Sequence, residues 1–241
     1  MGENAEAMQP ATRKPRTNFD PRNAAAYGIA EAARYIKLPR ATLSSWILGR
    51  AYPKGEGLAR FQPLIRPAQA QPPLLSFWNL VEAHVLRSLR TEHGVSLNDV
   101  REAIRYAEKQ LRIDRLLLSK QLSTDAGRLF LDRYGELINL SASGQLAIRS
   151  AFEQHLRRIE WDLQLPVRLY PFVSSSAETA DKPIAIDPAI AFGRPIIARK
   201  AVSTSAIADR IDAGESPQEL AEDYGLQVAE IEQAVLYERA A

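Results

Sequence analysis

Between residues 40 and 66 the chain gathers side chains that can hold phosphate and read base edges. Arg40, Thr42, Ser44 and Ser45 lie close together, and each carries a donor that phosphate oxygens or base edges accept. Arg50, Lys54, Arg60 and Arg66 follow, and Arg13, Lys14 and Arg16 precede them in an arm suited to a minor groove. The other reactive groups point away from catalysis. His84, His93 and His155 fall in separate segments without metal-ligand spacing and read as packing or helix-surface residues. Asp132 with Glu136, and Glu160 with Asp162, are carboxylate pairs open to a metal, but the first pair flanks a predicted turn, where polar residues are expected anyway. There is no Gly-rich phosphate loop and no nucleophile motif beside a base. Zero cysteines remove disulfides and thiolate metal sites. The expectation is a binding protein, not an enzyme, with no cofactor and no metal.

Charge divides the chain more sharply than its net +2 suggests. From Met1 to Arg66, 11 Lys and Arg stand against 5 Asp and Glu; from Ser203 to Ala241, 2 stand against 9. Segregation of this kind bears on partners rather than on fold. The basic end suits phosphate, and the acidic end, with Glu219, Glu222, Asp223, Glu230, Glu232 and Glu238, repels it.

Both ends nevertheless use the same frame. YGIAEAARYIKLPRATLSSW sets small Ala33, a turn at Lys37 and apolar Leu43 at the spacing of a helix-turn-helix; ELAEDYGLQVAEIEQAV repeats it with Ala221, Gly225 and Ile231. In the first copy Leu43, Trp46 and Ile47 share one helical face, Gly49 ends the helix, and Phe61, Leu64 and Ile65 form a candidate wing strand. Ser76 is a candidate cap for a helix to about Glu92, with Phe77, Leu80, Val81, Val85 and Leu89 inside. Ser96 caps the next, carrying Leu97, Val100, Ile104, Ala107 and Leu111. RLFLDRYGELINL alternates around Arg133-Tyr134-Gly135 and predicts a β-hairpin; a helix then runs to Trp161, and PVRLYPFV reads as a strand. SSSAETADKP is a linker. IAIDPAIAFGRPII reads as strand-turn-strand, followed by helices at about Thr204–Ala213, after the Ser216–Glu219 capping box, and at Val228–Arg239.

Tyr27, Ile29, Glu31, Ala32, Ala33, Thr42, Leu43 and Trp46, then Pro63-Leu64-Ile65 and VSLNDVREAI, resemble the DNA-binding unit of MerR-family transcription regulators. The resemblance spans about residues 27–111. It implies a winged helix-turn-helix with Arg40 to Trp46 as recognition helix. Lys37 stands where that family usually has Gly, so a non-Gly residue must turn left-handed there at roughly 1 kcal/mol, and the family's long dimerising coiled coil is missing. Ile186-Asp187-Pro188, Phe192-Gly193-Arg194-Pro195-Ile196-Ile197, Ala213-Gly214, Ser216, Glu219-Leu220-Ala221 and Asp223-Tyr224-Gly225-Leu226 resemble a short antitoxin domain, long catalogued as of unknown function, found in VapB-type antitoxins. Together they make the chain similar to long VapB-type antitoxins with a MerR-like head. That resemblance implies a cognate PIN-like toxin and binding to the operon's own double-stranded promoter DNA.

The expectation is an α+β, mainly helical protein: a basic arm (1–22), a winged helix-turn-helix (23–118), a hairpin-helix-strand middle (119–173), a linker (174–183) and a trihelical domain with a short β-hairpin (184–241). DNA contact is assigned to Arg40, Thr42, Ser44 and Ser45, with Arg50, Lys54 and Arg60 on phosphates. Toxin contact is assigned to Arg194, Arg199 and Lys200 or to the acidic face with Glu222, Asp223 and Glu230. A cytoplasmic homodimer or toxin–antitoxin hetero-oligomer follows, with no membrane, since no apolar run nears the ~18 residues of a span. The alternatives are a ligand-responsive MerR-like regulator without a toxin, and a structural dimerising protein.

Overall fold

The computed structural model of the chain describes residues 20–54, 57–90, 97–137, 141–173 and 182–240. The basic residues of the N-terminal arm up to Arg16, the Ser96 cap, His93 and most of the Ser-rich linker lie outside the described residues. Strand β1 (Tyr27–Gly28) leads into α1 (Ile29–Tyr35), a turn at Lys37 and α2 (Arg40–Leu48). Ala32 and Ala33 are small enough to let α2 approach, and Leu43, Trp46 and Ile47 fill the contact; all five are buried. Lys37 takes φ 53°, the left-handed turn that its place between the two helices demands.

Gly49, at φ 72° and ψ 178°, ends α2 in a conformation essentially confined to glycine. It turns the chain into an antiparallel hairpin of β2 (Arg50–Lys54) and β3 (Gly57–Phe61), where Tyr52 stacks on Phe61 with ring centroids 4.1 Å apart. The wing thus lies earlier than Phe61, Leu64 and Ile65 suggested. The amides of Leu64 and Ile65 instead donate to the Trp46 carbonyl at 2.8 and 3.1 Å, so neither is free for a ladder. A Cβ on Gly49 would stand 2.2 Å from the Phe61 carbonyl oxygen. Gly49→Ala is therefore expected to cost about 2 kcal/mol or more, from backbone strain and overlap together, as a lower urea midpoint at unchanged slope.

Strand β4 (Leu74–Leu75) pairs back on β1, and α3 (Phe77–Arg87) begins at Ser76, whose side chain accepts from the Asn79 amide in a reciprocal capping box. Four of the five predicted core positions lie on α3 and the fifth, Leu89, on the 3₁₀ turn Ser88–Arg90 that follows; all five are buried. Next comes α4 (Leu97–Leu111).

The middle differs from the sequence reading. The predicted hairpin at Arg133-Tyr134-Gly135 is part of helix α5 (Asp125–Leu137). Ala126, Phe130 and Tyr134 recur every four residues and are all buried, so the helical period wins over the apparent alternation. Gly135 makes no turn; a Cβ there would meet the Gln145 side chain at 3.3 Å, so glycine admits a close neighbour. Helix α6 (Ala142–Leu156) stops short of Trp161. The hairpin of this region is instead β5 (Ile159–Asp162) with β6 (Leu165–Leu169), turning at Leu163 with φ 53°. The expected third strand, PVRLYPFV, thus pairs with the segment predicted as the helix end.

One hydrophobic cluster runs from Tyr27 to Leu169 and includes Ile186, so the boundary expected at residues 118/119 passes through a continuous core. A second cluster belongs to the C-terminal unit: β7 (Ile184–Ala185), β8 (Ile196–Ile197) and β9 (Val202–Ser203) in one antiparallel sheet, then α7 (Thr204–Asp212), α8 (Pro217–Tyr224) and α9 (Val228–Arg239). Here the local signals held: Ser216 and Glu219 form the capping box, and Gly225 closes α8 at φ 60°. The architecture is α+β and mainly helical.

Candidate nucleic-acid interface

Burial of Leu43, Trp46 and Ile47 fixes which side of α2 faces outward. Arg40 and Leu48 are exposed and Ser44 is half-buried, one stripe recurring every four residues, with exposed Ala41 beside it. Thr42 is half-buried, and the Ser45 hydroxyl donates to the Thr42 carbonyl at 2.7 Å. Ser45 thus spends its proton on the helix and keeps its oxygen lone pairs. Arg40, with no bonded partner among the described residues, is the strongest donor of the stripe.

The hairpin is tied to the same helix. Arg60 donates to the Leu48 carbonyl at 2.6 Å, capping the last turn of α2. Arg60 therefore fixes the angle of the wing, and Arg50, exposed at its base, is free for phosphate. Lys54 closes β2, and its side chain lies outside the described residues. Farther along, Arg101 donates to the Gln62 carbonyl and holds the strand exit to α4.

The C-terminal residues predicted for partner contact are not equivalent. Arg199 makes paired bonds to Glu230 at 2.6–3.1 Å and reaches the Gly225 carbonyl at 2.9 Å. Glu230 also accepts from the Gln227 amide at 2.8 Å, and its carboxyl is held below the ordinary glutamate range chiefly by Arg199. Asp223 pairs with Arg210 at 2.6 Å. Glu222 and Lys200 are exposed. Arg194 is exposed and has no ion pair among the described residues. Beside it Phe192 is 92% exposed, on a loop where Ala191, Phe192 and Gly193 all have positive φ (48°, 55° and 74°). The Tyr27 hydroxyl donates to the Gly193 carbonyl at 3.0 Å and anchors this loop to the start of the helix-turn-helix.

Two histidines from separate segments of the sequence, His84 and His155, meet as packing residues. His84 donates from Nε2 to the His155 carbonyl at 3.1 Å, and His155 from Nδ1 to the Ala151 carbonyl at 2.8 Å, with ring centroids 4.9 Å apart. The carbonyl acceptors place a proton on His84 Nε2 and on His155 Nδ1, and burial disfavours the charged form of both rings. Asp132 and Glu136 are paired with Arg149 and Arg133 at 3.2 Å each. Among the described residues no group of three or more His, Asp or Glu could hold a metal, and no helix is long and apolar enough to cross a membrane.

Two family models match the chain. The one described as "Putative DNA-binding HTH domain" covers residues 25–104, and the one described as "Protein of unknown function (DUF433)" covers residues 184–237. The chain is 28% identical over 230 residues to the Mycobacterium tuberculosis protein named "Putative antitoxin VapB45", spanning 87% of this chain and 92% of that one. It is 29% identical over 219 residues to "Uncharacterized protein Rv2308" of the same organism, spanning 88% and 89%. The crystal structure of Rv2018 from M. tuberculosis superposes with a TM-score of 0.63 at 24% identity, over 88% of this chain and 98% of that one, a likeness of fold. Over most of its length the chain is thus similar to a protein named "Putative antitoxin VapB45", with an N-terminal match to the model described as "Putative DNA-binding HTH domain" and a C-terminal match to the DUF433 model.

Proposed function

We propose that this protein is the antitoxin of a toxin–antitoxin pair: it binds and neutralises a PIN-like nuclease toxin and represses its own promoter through a MerR-like head. The observation that carries the DNA half is the outward stripe of α2, with Arg40 unencumbered at its N-terminal end and Arg50 at the base of a hairpin braced by Arg60. Arg40 can bridge to a guanine edge, while Arg50 and Lys54 neutralise phosphate.

The toxin half draws on the similarity to the protein named "Putative antitoxin VapB45" and on the Phe192–Arg194 loop. Two non-glycine residues in left-handed conformation cost about 1 kcal/mol or more each, and strain of that kind gathers at functional sites. An exposed aromatic beside an unpaired arginine has the composition of an interface centre. Of the three cations assigned to the toxin, Arg199 is paired with Glu230, whereas Arg194 and Lys200 are exposed and have no ion pair among the described residues; of these two, Arg194 is the one beside the exposed Phe192.

Arg40→Ala is expected to lose about 1–3 kcal/mol of affinity for the promoter duplex, read by gel shift or fluorescence anisotropy. Arg50→Ala should weaken all duplexes alike and flatten the salt dependence. The native operon should also yield a small nuclease that copurifies with the wild-type chain and dissociates from Phe192→Ala. A chain that binds its promoter without any such partner would instead be a ligand-responsive regulator. A cavity of about 430 Å³ between the segment 64–68 and helices α3 and α4, lined by Arg66, Glu82, Glu108 and Arg115, gives that second reading a place for its ligand.

A further inference from the structure

The helix-turn-helix and the C-terminal unit close each other's helix ends. The last carbonyls of a helix have no partner within it. At the end of α1 the Tyr35 carbonyl accepts from the Tyr237 hydroxyl at 2.7 Å, and the Ile36 carbonyl accepts from Arg87 at 2.7 Å. Near the end of α9 the Tyr237 carbonyl accepts in return from the Lys37 ammonium, which also lies 3.8 Å from the Tyr237 ring centroid. Arg34 pairs with Glu238 at 3.2 Å, and the Thr204 hydroxyl donates to the same carboxylate. Tyr237 and Ile36 are fully buried in this contact. Burial lowers Lys37 to about 8; its ring and carbonyl partners favour the ammonium form.

The residue so gripped is the strained one. Lys37 holds φ 53° between α1 and α2, where a glycine would turn without help. Relaxing that turn would swing α2, with its outward stripe and the wing tied to it, away from α1.

We infer that Tyr237 and Lys37 are positioning residues for DNA reading: the C-terminal unit holds the α1–α2 turn in the left-handed form from which α2 presents Arg40 and Ser44. The inference rests on the DNA-binding reading of α2. The turn-competent state is one of two, and Tyr237 biases it, so losing the bias lowers apparent affinity by the fraction of molecules that relax.

The test uses the full chain as wild type, Tyr237→Phe, Lys37→Gly and the double variant. Each is measured for affinity to its promoter duplex and for amide hydrogen exchange at Leu38, whose N–H donates to the Ala33 carbonyl at 2.9 Å. Tyr237→Phe keeps the ring and removes one hydrogen bond. It is expected to bind about fivefold more weakly and to exchange the Leu38 amide several-fold faster, while Ile231 in the C-terminal core stays slow. Lys37→Gly should abolish the effect, so that the double variant binds as Lys37→Gly alone. Equal affinities of wild type and Tyr237→Phe would overturn the inference, as would losses that simply add in the double variant. Should the wild type bind no promoter DNA, the DNA reading falls, and Leu38 exchange then decides the grip: faster exchange in Tyr237→Phe supports it, and equal exchange overturns it.

Discussion

Lowering the pH from 7.5 to 5 is expected to cost the native state about 2 kcal/mol through His155 alone, with His84 adding in the same direction. Burial is the main cause: it drives His155 down to about 4 and His84 well below the ordinary value of 6.5. The nearby charges of Arg87 and Arg158, both stacked on Phe172, push the same way. In the unfolded chain each imidazole takes a proton near pH 6.5, while the native core refuses it. The unfolded state then binds more protons, so stability falls as pH drops through 6.5, and for His155 the loss is complete below about 4. Urea unfolding of wild type and His155→Gln at pH 7.5 and 5 checks this. The variant should lose about 2 kcal/mol less over that interval; equal losses would remove His155 from the account.

Arg115→Ala is expected to destabilise the fold by about 3 kcal/mol at pH 8 and by less at pH 5. Glu82 is 7% exposed on α3 and accepts from Asn79 at 2.9 Å and from Arg115 at 3.0 and 3.1 Å. Even with these partners, burial outweighs Arg115 and holds the carboxyl above the ordinary glutamate value of 4.5. Removing the guanidinium leaves a buried carboxylate without its counter-charge, which must then take up a proton. A native carboxyl with raised pKa binds more protons than the unfolded chain does above pH 4.5, so its contribution shrinks as pH rises. The loss in Arg115→Ala should therefore grow from pH 5 to pH 8. Adding Glu82→Gln should recover most of it, because a neutral amide needs no counter-charge. A loss that ignores both pH and Glu82→Gln would mean that Arg115 acts through its packing on Trp78, whose ring centre lies 5.5 Å from the guanidinium.

Legibility in the sequence follows the range of the forces. Helix starts at Ser76 and Ser216 were readable because a cap acts over three residues. The left-handed Lys37 was readable because two helix patterns leave it one place to turn. The outward face of α2 followed from the spacing of Leu43, Trp46 and Ile47. The segment around Tyr134 was misread because a short apolar run fits both periods, and its partners α4 and α6 choose between them. The wing shifted for a similar reason. Strand placement there depends on Gly49 facing the Phe61 carbonyl and on Trp46 taking the amides of Leu64 and Ile65.

The sequence by itself determined the two helix-turn-helix frames, their opposite charge, and the residues able to meet phosphate. Those properties sit in side-chain type and in spacings of three to nine residues. The tertiary structure sets how these exposed groups are engaged: Arg199 pairs with Glu230 and Arg60 donates one bond to the Leu48 carbonyl, whereas Arg40, Arg50 and Arg194 have no such partner among the described residues. It also joined the two frames through Tyr237 and Lys37, which lie 200 positions apart. No local pattern encodes that contact, because it arises when two helix ends, each short of hydrogen-bond partners, are buried against one another.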